Sequence, residues 1–301
     1  MIEATTQDAA DSPESRRAHT KPFLRWAGGK SRIVDHLLRF LPQGLLGDYW
    51  EPFLGSGALF FALAPQRAHL SDANSDLIAS YTQVREKPNL VFRYLGEHLS
   101  KTSEEYYYKV REAYNRCRLS RHRASAAQAA RFIYLNRTSF NGIFRVNQKG
   151  EYNVPYGRKE PPPAPSREDL QVASNLLRNA SLSDKPYEVA LAVSAAKPGD
   201  LVYLDPPYPP LNDTANFTHY TASRFSWEDQ KRVCALATAL RSNGCFVMIS
   251  NTDTESIREL YSRWSMHSLP VTRWVAANGS RRNVTDLVIT SYPQHEGLCD
   301  K

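Results

Sequence analysis

The sequence predicts an α/β fold in which a doubly wound sheet is interrupted by a mainly helical insertion. Three observations lead to this prediction. Toward both ends of the chain, short apolar runs alternate with helical patterns, which is the order that builds a parallel sheet. The middle of the chain shows helical periodicity over longer stretches instead. The positive charge of the chain is concentrated in that same middle part.

The first zone predicts two strands with a helix between them. The stretch "GDYWEPF" is typical of a strand that enters a turn, and "ALFFALA" is typical of a buried helix. A second strand, "RAHLSD", ends in the acid Asp72. This zone therefore starts the sheet.

The middle zone predicts helices followed by a long loop. Tyr107, Val110, Tyr114 and Cys117 recur at the helical period, and "ASAAQAARFIYL" is a second helical pattern. The next stretch, "NRTSFNGIFRVNQKGEYNVPYGRKEPPPAPS", is polar, aromatic and rich in turn residues. We expect a long loop or an irregular hairpin there, and loops of that length are usually functional or disordered.

The last zone returns to α/β alternation. "DLVYLD", "CFVMIS" and "DLVITSY" predict strands. A helix is predicted to begin at Ser226, with Asp229 three residues later, and to end near Gly244. The predicted division is therefore a mobile tail over 1–20, a sheet domain over 21–84 and 183–301, and an insertion over 85–182.

Composition places the chain among soluble globular proteins. Of its 301 residues, 42% are hydrophobic and 23% are charged, and no apolar run is long enough to span a bilayer. The first twenty residues lack the apolar core of a secretory signal. Four scattered cysteines without a C-x-x-C pair predict a reducing compartment and no metal site. We therefore expect a cytoplasmic protein without a membrane partner.

Charge indicates a polyanionic partner. The net charge is +7, yet residues 85–178 alone hold 18 Lys and Arg against 9 Asp and Glu. Nucleic acid is the polyanion that such a basic segment favours. Aromatic and cationic residues also alternate in the long loop, as they do on surfaces that stack bases and contact phosphates: Phe140, Phe144, Tyr152 and Tyr156 with Arg137, Arg145, Lys149 and Arg158.

The stretch "EPFLGSGALFF" predicts a ligand loop at the end of the first strand. Gly55 and Gly57 permit close backbone approach, although Phe60 stands where a dinucleotide fingerprint has its third glycine. Asp72 follows Gly55 by 17 residues, near the spacing of an acid that accepts bonds from ribose hydroxyls. Because no Lys-Ser or Lys-Thr follows, an adenosyl ligand without phosphates fits, such as S-adenosylmethionine. A tight structural turn is the alternative.

The stretch "VYLDPPYPP" places a carboxylate, two prolines and a tyrosine at the end of a strand. The Asp205 carboxylate and the Pro206 carbonyl can accept both N–H bonds of a planar amine such as adenine N6. Tyr208 can stack on the ring and set the angle of approach. The motif therefore indicates a base amine held for methyl transfer. An aspartate-proline turn that merely ends a strand is the alternative.

With these motifs in order, the chain resembles the Dam-type DNA adenine methyltransferases from about Pro22 to Tyr292. The resemblance rests on six stretches: "FLRWAGGK", "EPFLGSGALFF", "SDANSDL", "LNRTSFNGIFRVNQKGEYNVPYG", "DPPYPPLNDTANFTHY" and "ISNTDT". It implies a Rossmann-like methyltransferase sheet with an inserted target-recognition domain. It further implies methyl transfer from S-adenosylmethionine to N6 of a flipped adenine in double-stranded DNA, within GATC.

The resemblance also implies roles for individual residues. Asp205, Pro206 and Tyr208 are the implied catalytic residues. The implied cofactor-binding residues are Trp26, Lys30, Phe53, Gly55, Asp72 and Asp205. From the residues themselves, Lys30 beside Gly28 and Gly29 is expected to hold an anionic carboxylate of the cofactor or to be a surface lysine.

The implied DNA-binding residues are Arg25, Phe140, Asn141, Arg145, Pro155 and Arg158. Phe140 and Asn141 match positions that enter the duplex, Arg145 matches a guanine reader, and Pro155 matches a neighbour of a thymine methyl. Arginine geometry suits the two acceptors of guanine, which supports the roles of Arg25 and Arg145. The chain departs from the family in having arginine at Arg25, where lysine is frequent, and phenylalanine at Phe140, where tyrosine is frequent.

Three alternatives stay open at this point. The same fold can methylate RNA bases, or the side-chain amide of protein glutamine, which also offers two N–H donors. A DNA-binding protein without catalysis is the third. The basic segment opposes glutamine, "FNGIFR" opposes RNA, and the intact Asp205, Tyr208 and glycine pair oppose a silent protein. We therefore expect a monomeric DNA methyltransferase.

Overall fold

The computed structural model describes seven ranges of the chain, namely 20–44, 47–118, 124–158, 164–190, 195–208, 225–274 and 281–293. Within them, the side chains of 189–190, 271–274 and 281–284 are not described. The predicted tail, apart from its last residue, lies outside these ranges. So does "PPLNDTANFTHY", which follows Tyr208.

Strands from both ends of the described chain form one seven-stranded sheet. They are β1 (Tyr49–Glu51), β2 (Ala68–Ser71), β3 (Ala180–Ser183), β4 (Leu201–Leu204), β5 (Phe246–Thr252), β6 (Ser265–Trp274) and β7 (Arg281–Thr290). Their order across the sheet is β3-β2-β1-β4-β5-β7-β6. The predicted α/β class is confirmed. Every residue of strands β1 and β4 is buried, as expected for a sheet covered on both faces.

The sheet is mixed, whereas the sequence pattern predicts a parallel one. Strands β1 to β5 pair in parallel, but β7 runs antiparallel to both β5 and β6. Only residues 275–280 separate β6 from β7. A parallel connection needs a crossover of a dozen or more residues, so a link this short returns the chain antiparallel.

Ten helices accompany the sheet in the described ranges. They are α1 (Val34–Arg39), α2 (Ala58–Leu63), α3 (Ser75–Glu86), α4 (Pro88–Leu99), α5 (Glu104–Arg118), α6 (Ala126–Thr138), α7 (Arg167–Leu177), α8 (Tyr187–Ala190), α9 (Trp227–Ser242) and α10 (Glu255–Leu260). The predicted start of α9 is confirmed, because Ser226 and Asp229 form a reciprocal capping box. Helices α3 to α7 lie between β2 and β3, and of these α4 to α7 fall within the predicted insertion, 85–182, whereas α3 begins before it.

Helix α6 lies at the centre of the middle helices. It packs against α3, α4 and α5, and ten of its thirteen residues are buried. One continuous apolar cluster contains Phe132 of α6, Tyr114 of α5 and Tyr49 of β1. The sheet and the middle helices therefore share a core, and β3 begins at Ala180, before the predicted boundary at 183. The predicted division into domains stays a prediction.

An irregular hairpin follows α6, in line with the sequence prediction. A single turn of 3-10 helix covers Phe140–Gly142, and isolated antiparallel bridges join Ser139 to Tyr156 and Val146 to Tyr152. The Tyr107 hydroxyl donates a hydrogen bond of 2.8 Å to the Val154 carbonyl. These links hold the hairpin, residues 139–158, against α5 and α6.

The strand order reverses direction in the middle of the sheet. From β1 the chain proceeds to β2 and β3 on one side, while β4 and β5 lie on the other. In α/β sheets, ligands bind where the order reverses in this way, outside the carboxyl ends of the strands. Here that point lies between β1 and β4.

Candidate active site

Four segments meet at the carboxyl ends of β1, β2 and β4. They are the turn that ends at Lys30, the loop after β1, Asp72 after β2, and the segment Asp205–Tyr208 after β4. The Gly55 N–H donates to Asp72 Oδ2 at 2.9 Å, and Lys30 Nζ donates to Asp205 Oδ2 at 2.6 Å. The fold therefore joins predicted site residues that lie up to 175 positions apart in the sequence.

The loop after β1 requires glycine. Gly55 and Gly57 have φ angles of +49° and +66°, which residues other than glycine rarely adopt. A Cβ atom on Gly55 would lie 2.8 Å from Cδ1 of Trp26. The indole of Trp26 thus packs directly on the loop, and it also stacks on the ring of Phe144 at 5.9 Å between centroids.

Asp72 fixes the shape of this loop. One carboxylate oxygen accepts the Gly55 N–H and the other accepts the Asn74 N–H at 2.8 Å. Burial raises the pKa of Asp72 to about 6, although both backbone hydrogen bonds act in the opposite direction. Asn74 in turn caps α3 through its side chain. Asp72 is therefore a structural support of the loop as well as a predicted partner of ribose hydroxyls.

Lys30 is a buried partner of Asp205. Its side chain is 7% exposed, and Nζ donates to the Gly28 carbonyl at 2.8 Å as well as to Asp205. Nζ also lies 4.9 Å from the centre of the Tyr208 ring. Lys30 is thus no surface lysine. Its ammonium group balances the Asp205 charge and contacts the aromatic ring that is predicted to stack on the base.

Two buried amides, which the sequence analysis missed, hold the segment after β4. Gln230 Nε2 donates to the Pro207 carbonyl at 2.8 Å, and Asn251 Nδ2 donates to Gln230 Oε1 at 3.1 Å. Gln230 is 1% exposed and Asn251 is fully buried. The Tyr208 hydroxyl approaches Asp286 Oδ2 at 3.5 Å. The sequence signal for Gln230 is its position in α9, because it lies on the same helical face as apolar residues such as Val233 and Ala237.

Glu51, at the end of β1, is a second buried carboxyl group beside Asp205. It is 2% exposed, and its Oε2 accepts a hydrogen bond of 2.8 Å from the Tyr49 hydroxyl. Burial raises the pKa of Glu51 from 4.5 to about 8, and the negative charge of Asp205 adds to this increase. When Glu51 is protonated it carries no charge, so it does not compete with Asp205 for the ammonium group of Lys30. No sequence signal distinguished this acid.

Phe53 lies on the other side of the loop, in an aromatic cluster. Its ring is partly buried and lies 4.9 Å from the Tyr187 ring and 6.1 Å from the Phe225 ring, measured between centroids. The cluster joins the loop after β1 to segments near β3 and α9. Phe53 is therefore a partly exposed member of this cluster, and its role as a cofactor contact stays a prediction.

The predicted DNA-binding residues lie on the hairpin and on the segment before Lys30. Phe140 is 52% exposed, the largest exposed fraction of any large hydrophobic side chain in the described ranges. Asn141 is exposed with φ at +55°, and the Pro155 carbonyl accepts the Phe140 N–H at 2.9 Å. Arg25 lies against Gly142, where an added Cβ would be 3.0 Å from Arg25 Cδ. Arg25 and the tip of the hairpin are thus in contact.

The two remaining cations differ in their surroundings. Arg145 is exposed, and its Nε donates to Asn153 Oδ1 at 2.8 Å, which orients the guanidinium group. Arg158 is exposed and forms an ion pair with Glu104 at 3.1 Å. A phosphate that binds Arg158 must therefore compete with Glu104. Arg145, by contrast, is bonded to the uncharged side-chain amide of Asn153.

The described ranges contain neither a cluster of metal-ligating side chains nor a helix that could span a membrane. No three His, Cys, Asp or Glu side chains in these ranges lie close enough together to hold a metal ion. No helix in the same ranges is both long and apolar enough to cross a membrane.

Comparison with known proteins identifies the family of the chain. Residues 26–275 match the family model described as D12 class N6 adenine-specific DNA methyltransferase. The chain is 38% identical over 280 residues to the type II methyltransferase M1.LlaDCHI of Lactococcus lactis subsp. cremoris, which covers 93% of this chain and 98% of that protein. It is 36% identical over 274 residues to the DNA adenine methylase of Escherichia coli (strain K12), which covers 90% of this chain and 95% of that protein.

A third relative is archaeal. The type II methyltransferase M.MjaIII of Methanocaldococcus jannaschii is 34% identical over 290 residues, with 90% of this chain and 99% of that protein covered. The family model spans far more than half of the chain, and the relatives match over nearly their whole length. The resemblance found in the sequence is thereby confirmed. The chain belongs to the D12 class of N6 adenine-specific DNA methyltransferases.

Proposed function

We propose that this chain transfers a methyl group from S-adenosylmethionine to N6 of an adenine that is flipped out of double-stranded DNA, within the sequence GATC. The observation that carries the proposal is the Asp205–Tyr208 segment, held at the carboxyl end of β4 beside the glycine loop. The match of the hairpin to the Dam-type family, and relatives called DNA adenine methylase, support the target.

The crevice fits an adenosyl cofactor. Gly55 leaves room for the Trp26 indole, Trp26 and Phe53 offer aromatic rings at the loop, and Asp72 supplies carboxylate oxygens for hydroxyls. Lys30, already bound to Asp205, is available to a carboxylate only if the two anions share it. When bound, S-adenosylmethionine supplies a methyl group on a positively charged sulfur atom.

The protein's part in the reaction is to orient and polarise the amine. The Asp205 carboxylate and the Pro206 carbonyl accept the two N–H bonds of adenine N6, which directs the nitrogen lone pair toward the methyl group. Trp26, Phe53 and Asp72 would hold the cofactor that supplies the methyl group, and the surplus N6 proton would pass to solvent. Tyr208 stacks on the base, while Lys30 holds Asp205 in place at 2.6 Å. Gln230 keeps Pro207 from moving away.

The hairpin supplies access to the base. An adenine inside a duplex is out of reach, so it must be flipped and its neighbours supported by inserted side chains. Phe140, half exposed at the tip of the hairpin, is the side chain that fills the gap, with Asn141 beside it. Arg25 and Arg145 read guanine, Pro155 contacts a thymine methyl, and Arg158 contacts phosphate. The segment 85–182 thereby acts as the target-recognition domain.

The direct test is methyl transfer to competing substrates. With S-adenosylmethionine labelled in the methyl group, we expect label in a GATC duplex, recovered as N6-methyladenine by mass spectrometry of nucleosides. The same sequence as single-stranded RNA and a glutamine-containing peptide are expected to stay unlabelled. Label in RNA or peptide would move the chain to one of those substrate classes. Binding of the duplex without any transfer would identify a catalytically silent DNA-binding protein.

Arg145→Ala is expected to relax specificity at one base pair. Asn153 orients the guanidinium through Nε, and the Nη nitrogens carry further donors for guanine. Loss of a bidentate contact costs roughly 1–3 kcal/mol of discrimination. The measurement is kcat/KM on GATC and on its single-base variants, for the wild type and the mutant. Turnover on GATC should fall less sharply than discrimination does.

Lys149→Ala is the matched control for Arg145→Ala, because it removes one exposed positive charge from the same hairpin. A phosphate contact lowers affinity for all sequences about equally and reduces the salt dependence by about one contact's share. We expect that pattern for Lys149. The same uniform loss in Arg145→Ala would make Arg145 a phosphate contact and contradict its role as a base reader.

A further inference from the structure

We propose that Asn136 is a positioning residue that sets the geometry between the two base-reading elements, the segment at Arg25 and the tip of the hairpin. This inference rests on the proposed function, because it takes Arg25 and the hairpin as base readers. Asn136 would affect sequence discrimination through them, without touching DNA itself. Asn136 lies in the last turn of α6 and is 4% exposed, so it is out of reach of a substrate.

The Asn136 side chain holds Arg25 by both of its backbone groups. The Arg25 N–H donates to Asn136 Oδ1 at 2.8 Å, and Asn136 Nδ2 donates to the Arg25 carbonyl at 2.7 Å. Two bonds on one residue fix the orientation of its peptide planes as well as its position. The direction in which the Arg25 side chain leaves the backbone is therefore set by α6, from 111 positions away in the sequence.

The same amide also binds the hairpin. Asn136 Nδ2 donates a second hydrogen bond, of 3.2 Å, to the Gly142 carbonyl. Gly142 follows Phe140 and Asn141 directly and precedes Arg145 by three positions. One side chain thus bonds to the backbone of both reading elements, and it uses its acceptor oxygen and its donor nitrogen to do so.

Close packing makes this arrangement sensitive to small shifts. Gly142 has φ at +65°, and an added Cβ would lie 3.0 Å from both Arg25 Cδ and the Asn136 carbonyl oxygen. Arg137, the next residue of α6, donates to the Phe23 carbonyl at 2.6 Å from Nη2. The end of α6 therefore holds the Phe23–Arg25 segment against the hairpin. Base readers must lie within a fraction of an ångström of the productive geometry, so a lost tie misplaces both.

Gln128 offers a matched control in the same helix. It is also a buried amide, 3% exposed, and its Nε2 donates to the Tyr114 carbonyl of α5 at 2.9 Å. Its removal leaves a comparable gap and an unpaired carbonyl, but Tyr114 belongs to neither reading element. A purely structural role predicts equal effects of Asn136 and Gln128 on specificity.

The test compares Asn136→Ala with Gln128→Ala. For each we would measure kcat/KM on duplexes with the wild type's preferred site and with single-base variants, affinity for S-adenosylmethionine, and the thermal midpoint. We expect Asn136→Ala to lower the ratio of cognate to near-cognate kcat/KM by about tenfold or more, at the base pairs of both Arg25 and Arg145. Gln128→Ala should change the ratio less than about twofold, with a similar loss of thermal stability. Cofactor affinity should stay unchanged in both.

Asn136→Asp gives a second route if the alanine variant does not fold. Aspartate keeps the volume and the acceptor for the Arg25 N–H but places an oxygen opposite the carbonyls of Arg25 and Gly142. The ratio should fall as in the alanine variant. An unchanged ratio in a folded Asn136 variant, or equal losses in the Gln128 variant, would overturn the inference alone. A wild type that methylates no duplex would overturn the proposed function, and the inference with it.

Discussion

Asp205→Ala is expected to reduce methyl transfer by at least about 10³-fold while DNA affinity stays within a few-fold of the wild type. The carboxylate is assigned to the N6 amine and forms the ion pair with Lys30 at 2.6 Å, and it belongs to no element that is predicted to contact phosphate. Its removal also leaves the Lys30 ammonium, 7% exposed, with the Gly28 carbonyl but without its counter-charge. Single-turnover methylation and a binding titration with the same duplex separate the two effects.

Two further variants make this result specific. Asp205→Asn keeps the shape and one acceptor oxygen but removes the charge, so a large loss there would show that the negative charge is required. Asp253→Asn is the matched control, because Asp253 follows β5 as Asp205 follows β4 and is bound by Arg258 at 2.6 Å. Its oxygens serve Arg258 and Ser268, so turnover should stay near that of the wild type. Near-normal turnover in Asp205→Ala would remove Asp205 from the mechanism.

Glu51→Gln is expected to stabilise the protein at alkaline pH by a few kcal/mol. The folded state raises the pKa of Glu51 from 4.5 to about 8, so folding favours the protonated acid. The contribution of Glu51 to the free energy of unfolding is complete below about pH 4.5 and is lost as the pH rises to about 8. Across that interval the free energy of unfolding of the wild type falls by roughly 1.4 kcal/mol per pH unit from this group. Glutamine resembles the protonated acid and lacks that slope.

Urea denaturation at several pH values measures this difference. Asp72 also has a raised pKa, about 6, so its contribution of the same sign ends there, and the difference between wild type and Glu51→Gln from about pH 6.5 to about pH 8 reports Glu51. Asp253→Asn again serves as control. Hydrogen bonds from Arg258 lower the pKa of Asp253, so it is ionised in both states throughout that interval and its loss changes no slope. Equal slopes in the wild type and Glu51→Gln would show that Glu51 is ionised in the fold.

The same variant tests a link to catalysis. If Glu51 is protonated and does not compete with Asp205 for Lys30, Glu51→Gln should preserve turnover near neutral pH, because glutamine is uncharged like the protonated acid. A large loss of turnover in Glu51→Gln would instead show that the carboxylate form acts in the site.

Local patterns determined much of this protein's architecture. The alternation of short apolar runs with helices predicts the α/β class and the strands β1, β2, β4, β5 and β7, since burial on both faces demands such runs. The pair Ser226 and Asp229 predicts the start of α9 because a capping box is a contact between residues three apart. The motifs that carry the family are equally local, and each stays readable without knowledge of its neighbours in space.

The tertiary structure alone decided what depends on distant partners. Strands β3 and β6 lie at the two edges of the sheet. Strand β3 has only four residues, and β6 contains Pro270, which an edge strand tolerates. Neither strand therefore has a strong sequence pattern. Lys30 becomes the partner of Asp205, and Asn136 the partner of Arg25, only when segments more than 100 positions apart meet. Their chemistry is set by burial and by the few ångströms between partners, which sequence spacing does not encode.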